Sequence, residues 1–537
     1  MTDASELGSG KGEFVVAEKD ADTTRLEQLG YKQELNRSIS SFSNFGATLS
    51  IVSIPAATYP LFGYGLATGG PAAMLISWPI VGLLSVSIGI CLGEIISAFP
   101  TAGGVYYWSA NLAGPRLSPV VSFYTGWFNF LGQMGLTAAA SFAASQLFVA
   151  CFYAGGVLNT TDHPTTDMLY LGIVNVVNFL ILFLSALLNT VAVKWLGYLT
   201  TVSVFFNIGG MLINMIGAVS MSATHISVAD VFSYWNNATG MQDSYCAVIS
   251  ILVACFTFCG YDSAAHLIEE TTNADIAGPW SIVSTLVVNV PLGFFLLMGF
   301  LTIVPANPDD LNNLIAAPNT TSVIVDLVVN ACGEGPGIFF VVIVAISVLF
   351  CAISMIATHS RMIFAFSRDG GLPEFFHKLS PVKVPARAIW FAVVLDTIVC
   401  LPSLGSSTAF TALTSIGTVG LYVSYSIPIF FRVYHLKYFN RGRWNVGAFG
   451  PIIACVAVIW VAFVAVALLI PTSNPNPFVA SLFNWAIVEL GIVLMLLTVY
   501  WLLFARHWFK GPKLDENTVK LFDDESNDVS TEDGLLN

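Results

Sequence analysis

Twelve long apolar runs, almost free of charge, constrain this chain more than any other feature. They cover approximately residues 42–66, 72–97, 119–150, 168–190, 196–220, 244–268, 281–304, 337–358, 388–404, 408–431, 447–470 and 478–504. Each approaches or exceeds the roughly 20 apolar residues that a helix needs to cross a bilayer. Over the whole chain 55% of residues are apolar and only 10% charged, whereas a soluble protein carries about 25% charged residues. Such a composition cannot build a water-facing globular surface, and it excludes disorder, collagen-like repeats and disulfide scaffolds. The runs are continuous rather than alternating every second residue, so they read as helices and not as strands of a barrel. A net charge of −13 argues against nucleic acid as a partner. The fold class expected is all-α, integral to the membrane, with the lipid bilayer as its surroundings.

Charge placement orients the spans. Residues 1–37 contain no apolar segment of the kind a cleaved signal requires, so the N-terminus is expected in the cytosol, and twelve spans return the C-terminus there. On that topology all 20 Lys and Arg residues fall in cytoplasmic segments or at their edges, as the positive-inside rule demands. The outer loops hold eight acids and no base. The sequons at Asn159, Asn237 and Asn319 lie in those outer loops and are candidate glycosylation sites; a fourth, at Asn36, lies in the cytosolic tail. The expected organisation is an N-terminal tail (1–41), a transporter domain (42–504) and an acidic C-terminal tail (505–537). Within the domain, a first repeat spans 42–220, a second 244–431, and two additional helices 447–504. The plasma membrane is the expected location, with a vacuolar or other organelle membrane as the alternative.

Nothing in the sequence marks an enzyme. The nine Cys are scattered without CxxC spacing, and the seven His lie on separate segments. No metal site and no cofactor is expected from that distribution.

The first and sixth spans carry the chemistry. The first contains Ser53, Pro55, Ala56, Ala57 and Thr58, where Pro55 interrupts the helix among small residues. The sixth contains Phe256, then Gly260 directly ahead of Tyr261 and Asp262, with His266 four residues further on. Irregular backbone at membrane depth is tolerated only beside protein or a water-filled cavity. Interrupted helices at matching positions of two halves point to a transporter's binding site. Half-helix ends offer N–H groups to a carboxylate and carbonyls to an ammonium, which suits an amino acid. Asp262 and His266 share a helix face and can pass a proton or lock a gate. Glu94, at the end of the second span, is a candidate partner for a cytoplasmic base. Trp127, Asn129 and Gln133 form an aromatic–amide set in the third. Asp396 and Glu489 read as packing or interfacial residues.

Four stretches, together with the ending Ala505–Pro512, are then recognisable. They are Leu29–Leu35 followed by Ser41–Phe45, Pro100–Pro115, Gly260–Ala274 with Gly278-Pro279, and Ser360–Pro373. The chain resembles the amino acid–polyamine–organocation superfamily of permeases, in the branch of GABA permeases, fungal choline permeases and plant bidirectional amino-acid transporters. The resemblance implies a five-plus-five inverted repeat with broken helices 1 and 6, and substrate held between spans one, three, six, eight and ten. It also implies alternating access, usually coupled to protons. It places Phe256 where relatives have an aromatic gate and Asp262 where some have a proton-sensitive acid. Two positions depart from relatives. Pro55-Ala56-Ala57 replaces a Gly-Ser-Gly, and Asn207 occupies the place of a Lys found in several proton-coupled members. The function expected is secondary transport of GABA or another small amino acid, with a proton as co-transported ion. The alternatives are a choline or polyamine permease, or a facilitative bidirectional exporter or exchanger. A receptor that keeps the fold without flux is a further one.

Overall fold

The computed structural model describes residues 20–158, 168–191, 193–318, 320, 322–404, 409–472, 484–516 and 518–522. Eleven of its helices are long and apolar enough to cross a membrane. The twelfth, span 6, is divided: an apolar half, Asp243–Thr257, precedes a short helix, Ser263–His266. Large apolar side chains line the outer surface, as Ile452, Ile459 and Val466 do at seven-residue intervals along span 11, Gly447–Ala467. That spacing marks a lipid-facing stripe.

Span 1 runs from Ser41 to Ala67 and is also divided. Ser40 caps its first half by accepting from the Ser43 N–H at 3.1 Å. The helix stops at Ile51, Val52 turns out of helical geometry, and the extended Ser53 caps a second half, Ile54–Ala67. The interruption therefore lies at Val52–Ser53, a little before the stretch expected from sequence. Pro55, Ala56, Ala57 and Thr58 fall in the first turn of the new helix, where a proline's missing N–H costs nothing.

Span 3 (Ser118–Ala154) packs along span 8 (Glu334–Arg368) and span 10 (Ala409–Tyr434), and span 2 (Gly70–Ala98) along span 7 (Ala274–Thr302). Spans 3 and 10 meet through glycines: a Cβ on Gly135 would lie 2.9 Å from the Gly417 Cα. Small residues permit this backbone approach where a bilayer supplies no hydrophobic drive.

The helices depart from the hydropathy reading in several places; span 7, for example, starts at Ala274 rather than 281. Span 8 continues to Arg368, ten residues past the expected end at 358. Its added turns stay helical because His359, Arg361 and Arg368 are buried against partners elsewhere in the fold. The segment between spans 2 and 3 is no simple loop: it contains a buried helix, Val105–Ala113. The described segments nearest the two chain ends meet on one face, here the terminal face, where Lys513 Nζ donates to the Gly30 carbonyl at 2.9 Å.

Candidate functional site

Each interruption leaves backbone groups without helical partners, and distant spans supply them. At the span 1 break the Val52 carbonyl accepts from the Asn289 amide of span 7 at 2.5 Å. Ser53 Oγ donates to Asn207 Oδ1 at 2.8 Å, and Asn207 Nδ2 donates to the Ser203 carbonyl at 3.0 Å. Asn207 sits on a π-helical turn of span 5, Phe206–Gly210, a distortion that often marks functional sites. A neutral hydroxyl–amide bond thus joins spans 1 and 5.

At the span 6 break Phe258 leaves the helix, and Gly260 adopts φ +82°, open to glycine at little cost. A Cβ there would also lie 2.8 Å from Ile51 and Leu136 side chains. Two tyrosines of span 10 clasp this backbone. Tyr422 donates its hydroxyl toward the Phe258 carbonyl at 3.0 Å, and the Gly260 N–H donates to the Tyr425 oxygen at 3.2 Å. Tyr425 in turn donates to Asp262 Oδ1 at 2.6 Å.

Asp262 is fully buried and surrounded by donors. Asn129 Nδ2 reaches Oδ2 at 2.7 Å, Gln133 Nε2 lies at 3.1 Å, and His266 Nε2 at 3.2 Å. The other imidazole nitrogen, Nδ1, lies 3.0 Å from the Ala102 carbonyl. A carbonyl only accepts, so Nδ1 must carry a hydrogen. Nε2 then faces the Asp262 carboxylate, a geometry that can hold one further proton between the two groups. Spans 3, 6 and 10 meet at this one buried pair.

Towards the terminal face this pair is sealed. Glu269 accepts from the Ala102 N–H at 3.0 Å and from Arg368 at 3.1 Å, while Glu270 pairs with Arg361 at 2.8 Å. The N-terminal segment closes over them: Gln33 donates to the Glu269 carbonyl at 2.8 Å, and the Ile39 N–H to that of Glu270 at 2.8 Å. The Arg368 guanidinium lies 3.9 Å above the Tyr31 ring, a cation–π contact. Tyr31 and Tyr106 hydroxyls both bond Asp369, at 2.9 and 2.8 Å. Burial pushes the Tyr31 phenol well above its ordinary range, so it remains a donor.

The structure brings Ser53, Asn207, Gly260, Asp262 and His266 into this framework. Phe256 lies buried in the last turn before the span 6 break. The Thr58 hydroxyl is taken by the Ile54 carbonyl at 2.7 Å. Trp127 keeps apart: its ring partners are Phe123, Phe130 and Phe366. Glu94 does pair with a base, Arg432 of span 10, and accepts from the Val446 N–H at 2.9 Å. That joint ties spans 2, 10 and 11, apart from the two breaks. Asn237 is held in a turn, its amide donating to the Met241 carbonyl and to Asp243 at 2.9 and 2.8 Å. Asn159 and Asn319 lie outside the described residues. Sequence reading missed Tyr422, Tyr425 and Asn289. The one available signal was a pair of tyrosines three residues apart within an apolar run.

Comparison with known proteins agrees with this architecture. Residues 39–497 match the family model described as amino acid permease. The chain is 35% identical to the amino-acid permease BAT1 of Arabidopsis thaliana, over 94% of this chain and 99% of that one. A rice homologue of that permease (Oryza sativa subsp. japonica) is 36% identical over 92% and 96%. Amino-acid permease 2 of Neurospora crassa is 30% identical over 91% and 88%.

Proposed function

The chain belongs to the amino acid permease family, and from that premise we propose that it carries GABA or another small amino acid by proton-coupled alternating access. The observation that carries this reading is the buried Asp262–His266 contact at 3.2 Å, placed to share a proton directly below the span 6 break. The second half of span 1 starts at the other break, and its first-turn N–H groups suit a substrate carboxylate. Pro55 contributes none, and Ser53 Oγ accepts that of Ala56 at 3.4 Å, which leaves a sparse anion site for a single small carboxylate. The Cys255 and Phe258 carbonyls each keep a lone pair for an ammonium beside the Tyr422 hydroxyl. Phe256, buried in the last turn before the break, is the aromatic gate in this reading. The terminal face is the cytosolic one in this reading, and the arrangement described is closed to it.

A pH gradient is coupled when the Asp262–His266 proton is exchanged at one face and retained at the other. Reconstituted into proteoliposomes, the protein is expected to take up a radiolabelled amino acid faster with the gradient than without it. Asp262→Asn is expected to remove that difference while leaving the protein folded. A pH dependence unchanged in this variant would overturn the coupling role. The neutral Ser53–Asn207 joint favours a second reading, facilitative exchange, in which flux follows the substrate gradient alone and the pH gradient has no effect in the wild type.

A further inference from the structure

A second buried histidine–aspartate pair lies in the membrane domain, unconnected to the first. His359 Nδ1 of span 8 stands 3.5 Å from Asp396 Oδ2 of span 9 (Ala386–Cys400), and neither side chain is exposed. His359 is nine residues before the end of span 8 and Asp396 ten after the start of span 9. At 1.5 Å per residue each lies about 14–15 Å inside the end of its helix. No hydrogen bond reaches either nitrogen or either carboxylate oxygen. Burying a bare charge there is prohibitive, whereas the pair with one proton between its members is neutral overall.

Among the described residues no other counter-charge faces the Asp396 carboxylate. Span 3 presents the Phe130 ring, 5.6 Å from the imidazole. Span 4 contributes the neutral Asn178 beside Cys400, whose thiol donates to the Ala138 carbonyl at 3.6 Å. Arg361, further along span 8, is committed to Glu270. At the start of span 9 the turn Glu374–His377 packs through Phe376 on Phe391, and its His377 bonds Glu34. We propose that His359 and Asp396 form a second proton-binding site, occupied in the closed arrangement and exchanging its proton with solution when spans 8 and 9 become hydrated. Losing the proton strands a negative charge in a fully buried site, so closure requires the site to be filled.

Infrared difference spectra of the full-length protein in lipid nanodiscs, stepped in pH, read carboxyl protonation without any substrate. A failure of the transport reading therefore leaves this test standing. The expected result is a titrating carboxyl band that persists in Asp262→Asn, is lost in Asp396→Asn and shifts in His359→Gln. Both substitutions leave neutral groups at the site, so neither forces an unpaired charge into the bilayer. No titrating buried carboxyl in the wild type beyond the one lost in Asp262→Asn would overturn the proposal. In proteoliposomes, uptake plotted against pH at the terminal face is expected to lose one limb in both variants. A uniform fall at every pH, with the profile's shape intact, would show a merely structural pair and overturn it as well.

Discussion

At the scale of single residues, the two breaks are held by polar side chains that reach in from other spans. Asn207 is the clearest case, because among the described residues the Ser53 hydroxyl donates to Asn207 Oδ1 alone. Asn207→Leu leaves that hydroxyl unpaired in a buried site, which costs about 1–3 kcal/mol. Thermal unfolding in detergent is expected to show the loss. Adding Ser53→Ala is expected to recover part of it, since removing both partners is cheaper than removing one. Equal and additive losses would show that the bond contributes nothing. Asp262 differs in kind: its four donors come from three spans, so its removal changes the proton count of the site rather than one contact.

At the scale of elements, the position of span 10 against span 3 decides whether Tyr425 can reach Asp262. A Cβ on Gly417 would stand 2.9 Å from the Leu136 N and 3.1 Å from the Gly135 carbonyl carbon. Backbone cannot yield as a flexible side chain can. Gly417→Val is therefore expected to push the spans apart, destabilise the protein by about 1–3 kcal/mol and abolish uptake. Gly172→Ala is the matched control, because its Cβ meets nothing within 4 Å. It is expected to leave uptake and unfolding unchanged or slightly improved. Indistinguishable behaviour of the two variants would remove close packing as the reason for the glycines.

For the whole molecule, closure of the terminal face is shared by the N-terminal segment, the Pro100–Gly104 turn, the end of span 6 and the end of span 8. Arg368 touches most of these: it pairs with Glu269 and covers Tyr31. Arg368→Ala leaves Glu269 buried with only the Ala102 N–H, and the seal is expected to loosen. A cysteine placed at Ala102 is then expected to react several-fold faster with a membrane-impermeant thiol reagent applied at that face, after native Cys455, the exposed cysteine, is replaced. An unaltered labelling rate would show that the seal does not depend on this cation.

Much of this architecture was legible in the chain itself. Apolar run length located the spans, Pro55 and Gly260 located the breaks within a few residues, and the four-residue spacing of Asp262 and His266 put them on one helical face. These are local properties, decided by neighbours within a turn or two of helix. What tertiary structure alone decided is pairing across long separations. Tyr425 meets Asp262 across 163 residues, Asn289 meets Val52 across 237, and Arg361 meets Glu270 across 91. Asp396 read as a packing residue until the fold placed His359 beside it. Hydropathy registers the cost of burying a polar group, but the partner that offsets the cost is set only when the helices pack.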